Sequence, residues 1–135
     1  MRTRHPDVHE ITTGSLAAAI EAATRPRIID ARAGEEFEVS HLPGARWIGA
    51  ADALAGLDPR TDPVVVYCSV GYRSAEYARH LAALGFRHAR NLSGGIFKWA
   101  NEGRPLQAPR GAPAKVHGFS ASWQHLLAPH LRHLP

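Results

Sequence analysis

The chain has 135 residues, 44% of them hydrophobic, with one cysteine, nine histidines and a formal net charge of +4. That length buries one ordinary core rather than two, and a lone cysteine excludes an intrachain disulfide framework and any Cys-rich zinc or iron–sulfur site. The positive balance is almost entirely arginine, since Lys98 and Lys115 are the only lysines; scattered among acidic residues and without an aromatic–basic ladder, it reads as a solvated surface rather than a nucleic-acid stripe.

No run of about 18 apolar residues occurs, and Met1–Asp7 lacks the apolar core of a secretion signal. A cytoplasmic protein is expected, engaging neither membrane nor nucleic acid. From the N-terminus, Ser15–Ala23 is rich in helix formers with Leu16, Ala19, Ile20 and Ala23 on one face, and Thr13 or Ser15 is available as its cap. Arg27–Ala31 is a short apolar run closing on Asp30, as buried parallel strands do where they reach a functional edge. Glu35–Val39 predicts a helical turn, the Pro43-Gly44 pair a tight turn, and Ala45–Ile48 a further strand.

Ala51–Leu57 reads as a brief helix stopped by Asp58-Pro59. Val64–Tyr67 is the clearest strand and Ser74–Leu84 the clearest helix, with Ala75, Ala78, Leu81 and Ala82 inward and Gly85 as its stop. His88–Leu92 predicts one more strand, and Gly94-Gly95 opens a last helix, Ile96–Asn101. Strands alternating with helices imply a parallel sheet covered on both faces, with its site at the carboxyl ends of the strands. Asp30 and Cys68 stand at such ends.

Residues 1–107 are expected to form this domain and 108–135 an extension, made of a Pro- and Gly-rich linker and a short amphipathic helical tail. In that tail Phe119, Trp123, Leu126, Leu127 and Leu131 recur at roughly helical spacing until Pro129 interrupts. Packing on its own domain is the expected role, with a docking helix for a partner as the alternative. His117, His125, His130 and His133 gather there too, but their spacing matches no common zinc pattern.

The chemistry centres on Val64-Val65-Val66-Tyr67-Cys68-Ser69-Val70-Gly71-Tyr72-Arg73-Ser74, where a buried strand runs into a helix. A thiol there faces backbone N–H groups at a helix N-terminus, an arrangement that stabilises a thiolate or another sulfur anion. Gly71 fits a loop curled tightly enough to need positive φ. Arginine at position 73 is electrostatically disfavoured at a helix start unless an anion compensates it, which predicts a bound anion beside it.

Four segments, Asp30-Ala31-Arg32 with Glu36-Phe37, Ser40-His41-Leu42-Pro43-Gly44-Ala45, the strand-to-loop segment above, and Asn91-Leu92-Ser93-Gly94-Gly95-Ile96 to Trp99, resemble in order and content a single-domain rhodanese, over roughly residues 8 to 106. The resemblance implies an α/β fold with a five-stranded parallel sheet flanked by helices on both faces, and a six-residue active-site loop from Cys68 to Arg73. It implies a sulfurtransferase that takes sulfane sulfur from thiosulfate or a persulfide donor onto Cys68. The Cys68 persulfide then passes that sulfur to cyanide, a thiol or a protein acceptor.

By position in that motif, Cys68 is the sulfur carrier, and Ser69, Val70, Gly71, Tyr72 and Arg73 form the cradle, with Arg73 able to face an anionic donor. Asp30 and Arg32 are expected to buttress the site, Glu36 and His41 to support the neighbouring turn, and Trp47 and Trp99 to lie in the core. No metal or organic cofactor is needed, and with no second cysteine the acceptor must arrive from outside this chain. Two alternatives remain: a protein-docking persulfide relay, and a phosphatase or arsenate reductase of the same fold. Loops of the latter kind hold five residues between cysteine and arginine, where Ser69, Val70, Gly71 and Tyr72 alone intervene here.

Overall fold

The computed structural model describes residues 8–23, 25–109, 115–117 and 126–133. In chain order the elements are β1 (Glu10–Ile11), α1 (Thr13–Glu21), β2 (Arg27–Asp30), α2 (Gly34–Val39), β3 (Arg46–Trp47), β4 (Val64–Tyr67), α3 (Tyr72–Ala83), β5 (Ala89–Leu92), α4 (Gly95–Asn101) and β6 (Val116–His117). A 3₁₀ turn, Pro129–Leu131, and β7 (Arg132–His133) follow. Strands β1 to β5 form one parallel sheet in the order β1-β5-β4-β2-β3, and β6 pairs with β7 in a separate two-stranded sheet.

β4 lies at the centre of the five-stranded sheet, and all four of its residues are fully buried. Its valines favour a pleated strand and, covered on both faces, carry no polar alternation. Successive side chains serve opposite faces. Val65 and Tyr67 pack with Ile28, Leu92, Leu16 of α1 and Phe97 and Trp99 of α4. Val64 and Val66 pack with Ile29, Ala89 and Ala78 and Leu81 of α3. The sheet thus has α1 and α4 on one face and α3 on the other.

Three local expectations are corrected. Helix α1 starts two residues earlier than predicted, and its cap is Thr12, whose side chain accepts the Ser15 N–H at 3.0 Å; the Thr13 hydroxyl instead donates to Glu102 at 2.6 Å. The segment expected as a helix over Ala51–Leu57 is a run of turns closed by three-residue hydrogen bonds such as Ala53 N–H to Ala50 O, ending at Gly56 with φ of 78°. Strand β1 escaped prediction because two residues carry no periodicity.

The third correction concerns the tail. Residues 119–125 of the expected amphipathic helix lie outside the described residues. Beyond them Leu126 and Leu127 sit in a turn and Pro129 opens the 3₁₀ segment, so residues 126–131 form no α-helix. Proline suits a first helical position but supplies no N–H to continue the ladder of a preceding turn. Leu127 and Val116 are buried in the core on the α1 and α4 side. Asn101 clamps this return, donating to Leu126 O and accepting from Ala128 N–H, each at 2.8 Å. Ser40 Oγ donates to Lys115 O at 2.6 Å.

Candidate active site

Beyond Tyr67 the chain leaves the carboxyl end of β4 and reaches α3 in a short loop, Cys68 to Gly71. The outside of that loop is bound to the start of α4. Cys68 O accepts the Ile96 N–H at 2.9 Å, and Ser69 O accepts the Phe97 N–H at 3.0 Å. With two carbonyls turned outward, the chain curls back at Gly71, the N-cap of α3, where φ is 112°. The Gly71 N–H then donates to Cys68 Sγ at 3.1 Å. The helix N-terminus adds its partial positive charge beside the sulfur.

The Ser74 hydroxyl, in the first turn of α3, lies 3.3 Å from the same sulfur. It also lies 2.5 Å from Asn91 Oδ1 on β5. The orientation of that amide is set by its other end, where Nδ2 donates to both oxygens of Glu10 at 3.1 and 3.3 Å and to Gly71 O at 3.2 Å. Ser93 Oγ donates to Glu10 at 2.7 Å. Having a single proton, Ser74 serves either the sulfur or Asn91 at any moment. These bonds tie the loop to β5 and β1.

Cys68 is only 2% exposed. Ser69 is buried as well, Val70, Gly71 and Tyr72 are half-buried and Arg73 is exposed, so the sulfur forms the base of a surface loop. Among the described residues, its hydrogen bonds come from the Gly71 amide and the Ser74 hydroxyl rather than from a full ring of amides.

The supporting residues occupy the neighbouring strand end, where Asp30 is in register with Tyr67. Asp30 and Arg32 form a fully buried ion pair at 2.7 Å, and Arg32 also donates to Ser40 O at 2.7 Å. Burial pulls the Arg32 guanidinium down, but hydrogen bonding to Asp30 and its charge override this, and the net shift is upward. The Tyr67 hydroxyl donates to Asp30 at 2.7 Å and accepts the Leu42 N–H at 3.1 Å. Burial, reinforced by the Asp30 charge, holds that phenol well above the ordinary tyrosine value. It is a permanent donor.

His41 belongs to the turn. Its ring stacks on Phe37 at 3.9 Å, its Nδ1 lies 3.0 Å from Phe37 O, and its backbone bridges to Gln107. Among the described residues no hydrogen bond joins Asp30, Arg32 or His41 to Cys68. Trp47 is half-buried and donates to Arg32 O at 2.8 Å, whereas Trp99 is fully buried and donates to Pro105 O at 2.7 Å.

Arg73 meets an internal anion. Its Nη2 lies 3.7 Å from Oε1 of Glu36, which is 2% exposed, and that oxygen also accepts the Ala33 N–H at 3.0 Å. The other Glu36 oxygen, Arg32 Nη1 and Ser69 Oγ are buried without a hydrogen-bond partner among the described residues.

Sequence reading missed several residues that shape this site. Gly95 was visible as a turn residue only, yet a Cβ there would lie 2.4 Å from Cys68 O and 2.5 Å from Ser69 O, at a φ of 62°. Ser74 was visible as a helix start. Asn91 was visible only as the head of the resembling segment Asn91 to Trp99, and Glu10 gave no signal; both meet the loop only after distant strands are placed side by side.

A Rhodanese-like domain model matches residues 12–102. A sulfurtransferase from Allochromatium vinosum is 30% identical over 106 residues, an alignment covering 77% of this chain and 99% of that protein. A probable adenylyltransferase/sulfurtransferase, MoeZ, from Mycobacterium tuberculosis is 33% identical over 100 residues, covering 70% of this chain but 25% of that protein. The chain therefore spans about a quarter of the length of that relative. Among solved structures, a rhodanese-like domain protein from Staphylococcus aureus superimposes with a TM-score of 0.63 at 29% identity, covering 75% of this chain and 98% of that one. No helix among the described residues is long and apolar enough to cross a membrane. With its sheet order, its loop cysteine and the matched span in agreement, the chain belongs to the rhodanese-like domain family, and its relatives include sulfurtransferases.

Proposed function

We propose that this chain is a sulfurtransferase working through a persulfide on Cys68. The observation that carries the reading is the sulfur at the start of α3, receiving the Gly71 N–H at 3.1 Å. The thiolate attacks the outer sulfur of thiosulfate or of a persulfide. A new S–S bond forms at Cys68, the donor's S–S bond breaks, and the electron pair leaves with sulfite or a thiolate. The terminal sulfur of the Cys68 persulfide is then attacked by an external nucleophile, cyanide, a small thiol or a protein thiol, and the Cys68 thiolate is restored.

The residues divide this work. The Gly71 N–H holds negative charge on sulfur before and after transfer, and Ser74 adds its proton when its hydroxyl turns from Asn91 to the sulfur. Ser69, Val70 and Tyr72 shape the cradle, Arg73 faces the donor, and Asp30, Arg32 and His41 act through the loop's supports rather than on the reacting atoms. The described part of the extension packs on the domain, which supports reading 108–135 as a clasp on a domain spanning 1–107.

The test is intact mass after incubation with thiosulfate or a persulfide, comparing the native chain with Cys68→Ser. A gain of one sulfur atom on the native chain alone is expected. Sulfur uptake by both, or by neither, refutes the assignment. If the native chain gains sulfur but releases it only to a protein thiol, its role is that of a relay. Hydrolysis of phosphate esters faster than sulfur transfer would restore the phosphatase alternative.

A further inference from the structure

We infer that Glu36 sets the donor selectivity of this site, turning the loop away from dianionic thiosulfate and toward persulfides. This deepens the sulfur-transfer reading and rests on it. An anion-binding role for Arg73 requires positive charge to spare at the start of α3. The structure supplies that arginine with a carboxylate of its own, 3.7 Å away and 2% exposed.

The charge balance around this side of the loop is even. Arg32 is matched by Asp30 in a buried pair at 2.7 Å, and Arg73 by Glu36. Glu36 also lies close enough to Arg32 to influence it electrostatically. Two guanidiniums face two carboxylates, so the net charge of +4 on the whole chain is not concentrated here. The Arg73 contact is long and its guanidinium is exposed, so it offsets the Glu36 charge only in part. Oε1 takes the Ala33 N–H and the Arg73 contact, whereas Oε2 is buried with no hydrogen-bond donor among the described residues. A carboxylate so placed repels an incoming anion more strongly than an exposed one, because little water screens it.

The two donor classes differ in the charge they bring. Thiosulfate carries two negative charges and, after its sulfane sulfur bonds to Cys68, releases sulfite, which carries both away. A hydropersulfide made from an uncharged thiol brings at most one and releases a thiolate. Repulsion from Glu36 therefore acts about twice as strongly on thiosulfate, in the ground state and at the departure of sulfite.

Glu36→Gln separates the roles of this side chain. Glutamine keeps an oxygen for the Ala33 N–H, which holds the start of α2, but removes the charge. Single-turnover sulfur uptake by native chain and variant is followed by intact mass, with thiosulfate and with the hydropersulfide of 2-mercaptoethanol. The thiosulfate-to-hydropersulfide rate ratio is expected to rise about tenfold in the variant. Arg73→Ala, which removes the guanidinium beside Glu36, lowers the same ratio. A second readout needs no sulfur transfer: thiosulfate binding to Cys68→Ser by calorimetry, expected to tighten about tenfold when Glu36→Gln is added. Uptake from both donors with an unmoved ratio, or equal thiosulfate affinities in the Cys68→Ser background, overturns the inference alone. Uptake from neither donor overturns the sulfur-transfer reading and this inference together.

Discussion

Gly95→Ala probes the link between α4 and the sulfur loop most directly. Glycine is required twice over at this position. The φ of 62° is one that L side chains rarely adopt, and a Cβ would sit 2.4 Å from Cys68 O and 2.5 Å from Ser69 O. Left-handed backbone costs a non-glycine residue about 1–2 kcal/mol. Relieving the clash requires the loop to withdraw from α4, weakening the Ile96 N–H to Cys68 O and Phe97 N–H to Ser69 O bonds, now 2.9 and 3.0 Å. Each is worth about 0.5–1.5 kcal/mol net. Together these effects amount to about 2–5 kcal/mol, a large share of an ordinary domain's stability. Because the displaced carbonyls belong to Cys68 and Ser69, the rate of sulfur uptake falls as well.

Gly85→Ala is the matched control. Its φ of 100° carries comparable backbone strain, but a Cβ there meets nothing within 4 Å. Urea unfolding and single-turnover sulfur uptake should therefore separate the two variants. Gly85→Ala loses about 1–2 kcal/mol with its chemistry intact, and Gly95→Ala loses more and slows uptake. Equal destabilisation with equal uptake rates would refute the claim that α4 holds the loop in shape.

Three further outcomes are expected. Tyr67→Phe removes one donor from Asp30, which keeps those of Arg32, and leaves the buried Leu42 N–H without an acceptor, costing about 1–3 kcal/mol in urea unfolding; an unchanged midpoint would show that water takes over the vacated position. Ser74→Ala removes the hydroxyl 3.3 Å from Cys68 Sγ and the donor to the buried Asn91 Oδ1, so it slows sulfur uptake severalfold and costs about 1–3 kcal/mol of stability, whereas an unchanged rate would leave the Gly71 amide as sufficient. Hydrogen bonds from Thr13, Lys98 and Arg104 hold Glu102 down at about 2, from an ordinary value of 4.5. That stabilisation is complete above pH 4.5 and is lost as pH falls toward about 2. Thermal melts of Glu102→Gln should lack that part of the acid dependence, and parallel acid profiles for both chains would remove Glu102 from the account.

Local order along the chain settles a good deal of this protein. A run of valines entering Cys68 marks a buried strand, the alanines and leucine after Ser74 mark a helix, and Gly71 between them marks a backbone that needs positive φ; each depends on neighbours a few residues apart. The proposed nucleophile and the parallel α/β architecture follow from those signals and from the family resemblance. What decides the surroundings of the sulfur is the strand order β1-β5-β4-β2-β3, which brings Glu10 against Asn91 across 81 residues of sequence and sets Gly95 behind the loop. The arginine at the start of α3 shows the difference most clearly. Its need for a compensating anion is written in the sequence, but only the packing of α2 beside the loop reveals that the anion is the protein's own Glu36, because charge pairing depends on distance in space and not on separation along the chain.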